Sequence, residues 1–127
     1  MKKQIINTTN APAPIGPYNQ SVKVDKMLFV SGQIALDPAT GELNMSNLNT
    51  ETHQVMKNLE AILKEAGSSF DQVVKSSIFL SDMRSFAEIN DIYGSYFTSD
   101  FPARETVEVA QLPKSVNVEI SVIALCS

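Results

Sequence analysis

A chain of 127 residues can bury a core of its own, and 43% hydrophobic with 19% charged residues is an ordinary globular composition, read as one domain over residues 1–127. A net charge of −4 without any Lys/Arg run excludes a general electrostatic pull toward nucleic acid or an anionic membrane. The single cysteine, Cys126, excludes an internal disulfide, and with a single histidine, His53, the chain lacks the soft donors of a metal cluster.

The N-terminus is basic, but no apolar stretch of signal length follows it, and no run approaches a membrane span, so a cytoplasmic protein is expected. Gln4-Ile5-Ile6 reads as a short strand. Residues 10–17 hold three prolines and a glycine, which exclude a regular helix or central strand. Residues 21–24 and 27–34 read as a hairpin about Asp25-Lys26, and Gly32 inside the second strand signals a bulge or a close backbone approach. Asp37-Pro38-Ala39-Thr40-Gly41 is turn chemistry.

Val55, Met56, Leu59, Ile62, Leu63 and Ala66 form a helical stripe within residues 50–66, and Gly67 is its stop signal. Residues 73–80 read as a strand. Ser85-Phe86-Ala87-Glu88 has the capping-box pattern, with Phe86, Ile89, Tyr93 and Phe97 on one helical face.

Two alternating runs follow, residues 101–109 and 116–122, joined by a hairpin-length connection. Turning Val107 and Val109 inward with Val118, Ile120 and Val122 predicts an antiparallel hairpin with Thr106 opposite Glu119 and Arg104 one same-face step away. The order β-β-β-α-β-α-β-β then predicts an α+β domain: a mixed β-sheet with two helices packed on one face. Arg104, Thr106 and Glu119 are expected on the uncovered face, where they could also meet another subunit. A planar guanidinium matches a carboxylate in two parallel hydrogen bonds, so Arg104 is a candidate anion clamp, or half of an ion pair with Glu119. Beside that cation, Glu119 is expected to favour its ionised form.

Six motifs in order, Ile15-Gly16-Pro17-Tyr18-Asn19-Gln20, Ser31-Gly32-Gln33-Ile34, Asp37-Pro38-x-Thr40-Gly41, Phe101-Pro102-Ala103-Arg104, Leu112-Pro113-Lys114 and Val118-Glu119-Ile120, resemble the reactive intermediate deaminase (RidA/YjgF-type) family over essentially the whole chain. The resemblance implies a chorismate-mutase-like fold and a homotrimer with clefts between subunits. It implies cofactor-free hydrolysis of enamine or imine intermediates, such as 2-aminoacrylate, to 2-oxo acids and ammonia. By position, Arg104 would clamp the substrate carboxylate and Glu119 would orient or activate water. Thr106, Tyr18, Ser31, Gly32 and Asn90 would line or support the cleft. Thr106 stands where many members have cysteine, and Glu105 where serine is frequent. The alternatives are a regulator that binds a 2-oxo acid without turnover and an endoribonuclease; the acidic composition and the missing histidine pair weigh against the latter. His53 is expected at the surface and Cys126 frayed or packed at an edge.

Overall fold

The structure, a computed structural model, describes residues 2–126. Six strands, β1 (Lys3–Ile6), β2 (Ser21–Val24), β3 (Met27–Gln33), β4 (Val73–Leu80), β5 (Ala103–Glu108) and β6 (Val118–Leu125), form one mixed sheet in the order β1-β2-β3-β6-β4-β5. Two helices, α1 (Leu48–Glu65) and α2 (Phe86–Gly94), pack on one face of it. The element order is the one read from the alternation of apolar periods. None of the helices among the described residues is long and apolar enough to cross a membrane.

Local chemistry accounts for most element ends. Asn47 caps α1, its Oδ1 accepting the Thr50 N–H at 2.7 Å, so the helix begins two residues before the expected Thr50. Gly67, at φ +75°, ends it in a Schellman turn: its own N–H reaches the Lys64 carbonyl, and the Ser68 N–H reaches that of Leu63. The capping box at Ser85 does not form. A 3-10 turn (Met83–Ser85) leads into α2, and Asp82 caps that turn through the Arg84 N–H, so the orphan donors are met one turn earlier. Cys126 is buried rather than frayed, with its N–H bonded to the Lys26 carbonyl. His53 is half-buried, its Nδ1 2.7 Å from the Tyr96 hydroxyl.

The terminal hairpin is the principal correction. β5 pairs parallel with β4 after the α2 crossover, and β6 inserts between β3 and β4, antiparallel to both. β5 and β6 still run in opposite directions, but β4 lies between them. Next-nearest strands are only about 10 Å apart, a gap that the intervening loop crosses easily. Composition explains the choice. Val118, Ile120, Val122 and Ala124 are all buried, which suits a strand covered by neighbours on both sides, whereas β5 follows Pro102 and carries Arg104, Glu105 and Glu108, which suits an edge.

This insertion also changes which residues share a face. Val30, Val122, Ser76 and Arg104 form one row across the sheet, and Ser76, Val30 and Val122 are buried beneath the helices. Arg104 and Thr106 therefore point toward α2. Glu119 aligns with Phe79 and Val107 on the opposite, uncovered face. The expected common face for Arg104, Thr106 and Glu119 is thus overturned, and Val107 is 40% exposed rather than in the core. The uncovered face also displays Ile5, Phe29 and Leu125.

Polar hubs hold the long loops to this frame. Gln20, 1% exposed, donates to the carbonyls of Thr8, Ala11 and Pro12 and accepts the Thr8 N–H. Asn58 on α1 donates to the carbonyls of Ile34 and Leu36. Buried main-chain groups need such partners because the irregular segments supply no ladder of their own. Gln20→Leu keeps much of the volume but strands four main-chain groups. It is expected to lower stability by about 2–4 kcal/mol, read from urea unfolding at one fixed protein concentration.

Candidate functional site

The first half of the site is built on β5 and α2. Arg104 Nη1 donates to Asn90 Oδ1 at 2.7 Å, so Asn90 is a hydrogen-bonded support rather than a plain surface residue. The guanidinium carbon lies 5.6 Å from the Phe86 ring centre and 5.2 Å from that of Tyr93. Cation–π contact and a single neutral hydrogen bond fix the group while leaving donors for a ligand. Among the described residues no carboxylate pairs with Arg104; the ion pairs present are Lys75–Glu105 and Arg84–Asp82. The ion pair with Glu119 that the sequence leaves open does not form within the chain.

Arg104 opens on a cleft of about 660 Å³ shared with Asn90, Tyr93, Phe101 and Pro102. Tyr93 anchors the floor, its hydroxyl donating to Ser76 Oγ at 2.8 Å, and burial pushes its phenol pKa up. Two residues along β5 on the same face, Thr106 Oγ1 is buried without a hydrogen-bond partner. Thr106 does not line the Arg104 cleft.

The second half lies across the sheet. Glu119, Tyr18, Ser31, Gly32 and Lys114 line a cleft of about 480 Å³ whose wall is largely apolar, with Ile15, Ile34, Leu36 and Pro113. The β3 bulge falls between Val30 and Gln33, as the internal glycine signalled. A side-chain carbon built on Gly32 would sit 2.5 Å from Glu119 Oε2, so the close approach is to the candidate carboxylate itself. Ser31 Oγ donates to the Asn19 carbonyl at 2.6 Å and turns its lone pairs, not its proton, outward. Tyr18 is half exposed at the rim. Burial raises the Glu119 pKa, contrary to the lowering expected from a neighbouring Arg104.

The sequence-predicted residues therefore fall into two groups. Arg104 and Asn90 meet at one cleft, and Glu119, Tyr18, Ser31 and Gly32 at another; Thr106, expected to line the cleft, lines neither. Missing from the sequence reading was a site role for Phe86 and Tyr93, read only as members of one helical face, because helical spacing looks the same in either role. Lys114 was also missed; its place in a motif was visible, but its left-handed conformation (φ +55°) beside the cleft was not.

Residues 8–126 match the family described as Endoribonuclease L-PSP. A RutC family protein of Pyrococcus horikoshii is 48% identical over 122 residues, covering 96% of this chain and 97% of that one. The 2-iminobutanoate/2-iminopropanoate deaminase of Mus musculus is 46% identical over 123 residues, covering 97% and 91% of the two chains. The crystal structure of Escherichia coli TdcF with bound serine superposes with a TM-score of 0.93 at 39% identity, covering 98% and 99% of the two chains. With near-complete coverage in sequence and in fold, the chain belongs to the Endoribonuclease L-PSP family, whose members include Rid and RutC proteins.

Proposed function

We propose that the protein hydrolyses small enamine/imine intermediates such as 2-aminoacrylate to 2-oxo acids and ammonia, in clefts formed where copies of the chain meet as a homotrimer. The observation that carries this reading is the Arg104 guanidinium, held by Asn90 and two rings yet unpaired by any carboxylate among the described residues, at the mouth of an open cleft. That arrangement suits the carboxylate of a 2-imino acid, and bound serine in the TdcF structure presents the same group. The deaminase name of the murine relative supports the reaction class.

In this reading the substrate carboxylate binds Arg104, assisted by main-chain N–H groups near Thr106 on the free edge of β5. Glu119 of a neighbouring copy holds a water, accepts its proton as oxygen adds to the C=N carbon, and returns a proton to nitrogen. Collapse of the carbinolamine to C=O expels ammonia. Positioning and electrostatics supply the rate, since the imine carbon is already electrophilic. Desolvation of Glu119 makes it a stronger base than an exposed glutamate. A second copy would also cover the apolar side chains on the open sheet face.

Because Arg104 and Glu119 lie on opposite faces, two inactive variants can complement each other. Arg104→Lys keeps the charge but loses the fork, and should slow turnover by about 30- to 1000-fold, or roughly 2–4 kcal/mol. Unfolding and reassembling it in equal mixture with Glu119→Gln should restore about a quarter of the wild-type sites, because each site needs one intact residue from each of two chains. Light scattering should give the mass of three chains. No recovery in verified mixed trimers would defeat the shared-site arrangement.

The raised Glu119 pKa fixes the sign of the pH dependence. A base must be deprotonated, so kcat/KM should rise with pH through a midpoint above the ordinary glutamate value of about 4.3, and Glu119→Gln should abolish that limb. Folding stability runs the other way at this residue. Its folded-state pKa is raised, so its contribution is present at low pH and lost as pH climbs through that value.

Gly32→Ala tests the close approach alone. The backbone there is not left-handed, so the added carbon displaces the Glu119 carboxylate rather than straining the chain. Stability should change by no more than about 1 kcal/mol, while turnover falls roughly tenfold or more, measured with an imine generated in situ.

A further inference from the structure

Glu51, in the first turn of α1, has no exposed surface, and among the described residues no cation pairs with it. Both of its oxygens go to one residue on the far side of the core. Oε2 accepts the Asn117 N–H at 2.8 Å, and Oε1 accepts the Asn117 side-chain amide at 2.7 Å. The remaining groups of Asn117 turn toward Ser81: its carbonyl accepts the Ser81 N–H at 3.0 Å, and its Oδ1 accepts Ser81 Oγ at 3.3 Å. A buried carboxylate satisfied only by neutral donors carries a desolvation cost that an apolar tie between helix and strand would avoid.

What this clamp holds lies on either side of Asn117. Upstream, Lys114 and Ser115 occupy consecutive left-handed conformations, at φ +55° and +56°, which non-glycine residues adopt only when their surroundings enforce them. Lys114 and Pro113 form part of the wall of the Glu119 cleft. Downstream, β6 begins at Val118, directly after Asn117, so the clamp fixes the point from which the strand carries Glu119 two residues on. A slack clamp would let both walls of the cleft move, and Glu119 already has Gly32 against its carboxylate.

We propose that Glu51 is a positioning residue for this cleft: through Asn117 it sets the placement of the Glu119 carboxylate and of the Pro113–Ser115 turn. Its kinetic readout rests on the deaminase reading.

The test exchanges donor for acceptor across the pair. Glu51→Gln turns an N–H toward the Asn117 donors, and should lower kcat roughly tenfold or more with little change in KM. Asn117→Asp alone sets two carboxylates face to face and should be more damaging. In the double variant the new amide at position 51 donates to the new carboxylate at position 117, while its oxygen still accepts the main-chain N–H. Every hydrogen bond and the total charge are preserved, so kcat should return to within about threefold of wild type. A merely stabilising tie would change melting without this paired loss and rescue of kcat.

Wild-type kcat in Glu51→Gln overturns the proposal, as does a folded double variant no faster than the single one. Should Glu51→Gln fail to fold, the double variant decides alone: a near-wild-type rate supports the clamp, and a much reduced rate or failure to fold overturns it. A wild-type protein that hydrolyses no imine defeats the deaminase reading separately. The clamp is then read from hydrogen exchange at the main-chain N–H of residue 117 together with 2-oxobutyrate affinity. Both should weaken in Glu51→Gln and recover in the double variant; values unchanged from wild type overturn the proposal.

Discussion

The place of β6 between β3 and β4 is the constraint from which the rest of the molecule follows. Four buried apolar side chains on one face of that strand close the core beneath α1 and α2. Strand alternation then commits Glu119 to the other face, and the parallel β4–β5 pairing commits Arg104 to the helix side. The separation of the two charged groups is therefore a consequence of core formation and cannot be repaired by rotamers. Any chemistry that needs both must join surfaces of two chains.

The polar hubs answer a different requirement. Long irregular segments, above all residues 7–20 and 109–117, form cleft walls without sheet partners along most of their length. Asn58 and Glu51 reach from α1 into such segments, and Gln20, at the end of one, ties it back on itself; each satisfies polar groups from within. Clefts walled by loops thus acquire something of the rigidity of the sheet, as a site that works by positioning requires.

Element existence was legible because it depends on local period and punctuation: the apolar stripe of α1, the Gly67 stop, the turn at Asp25 and the bulge at Gly32 all rest on neighbours in the chain. Strand pairing was not. Residues 101–109 and 116–122 have hairpin spacing and compatible patterns, and nothing within them records that β4 intervenes. The direction of the β5 side chains failed for the same reason, since an edge strand with Arg104 and Thr106 inward and Val107 outward violates the usual partition of polar and apolar groups. That inversion follows from the site itself: Arg104 is tolerated beneath α2 because Asn90, Phe86 and Tyr93 receive it. Motif resemblance singled out Arg104, Asn90 and Glu119 as candidate site residues but carried no information on which faces they occupy within one chain.

The two half-sites also differ in how firmly each is held. Glu119 sits in the middle of a six-stranded sheet, on a strand bonded along both sides. Arg104 sits on an edge strand of six residues, most of them exposed, supported by a helix of only nine. Segments with few buried contacts and a free edge open at lower free energy than the global transition. In a single chain, warming should therefore release the β5–α2 corner, and Arg104 with it, while the central strands and Glu119 stay in place. Loss of the Arg104 cleft in this architecture would be a local melting event, with its own onset below that of the fold.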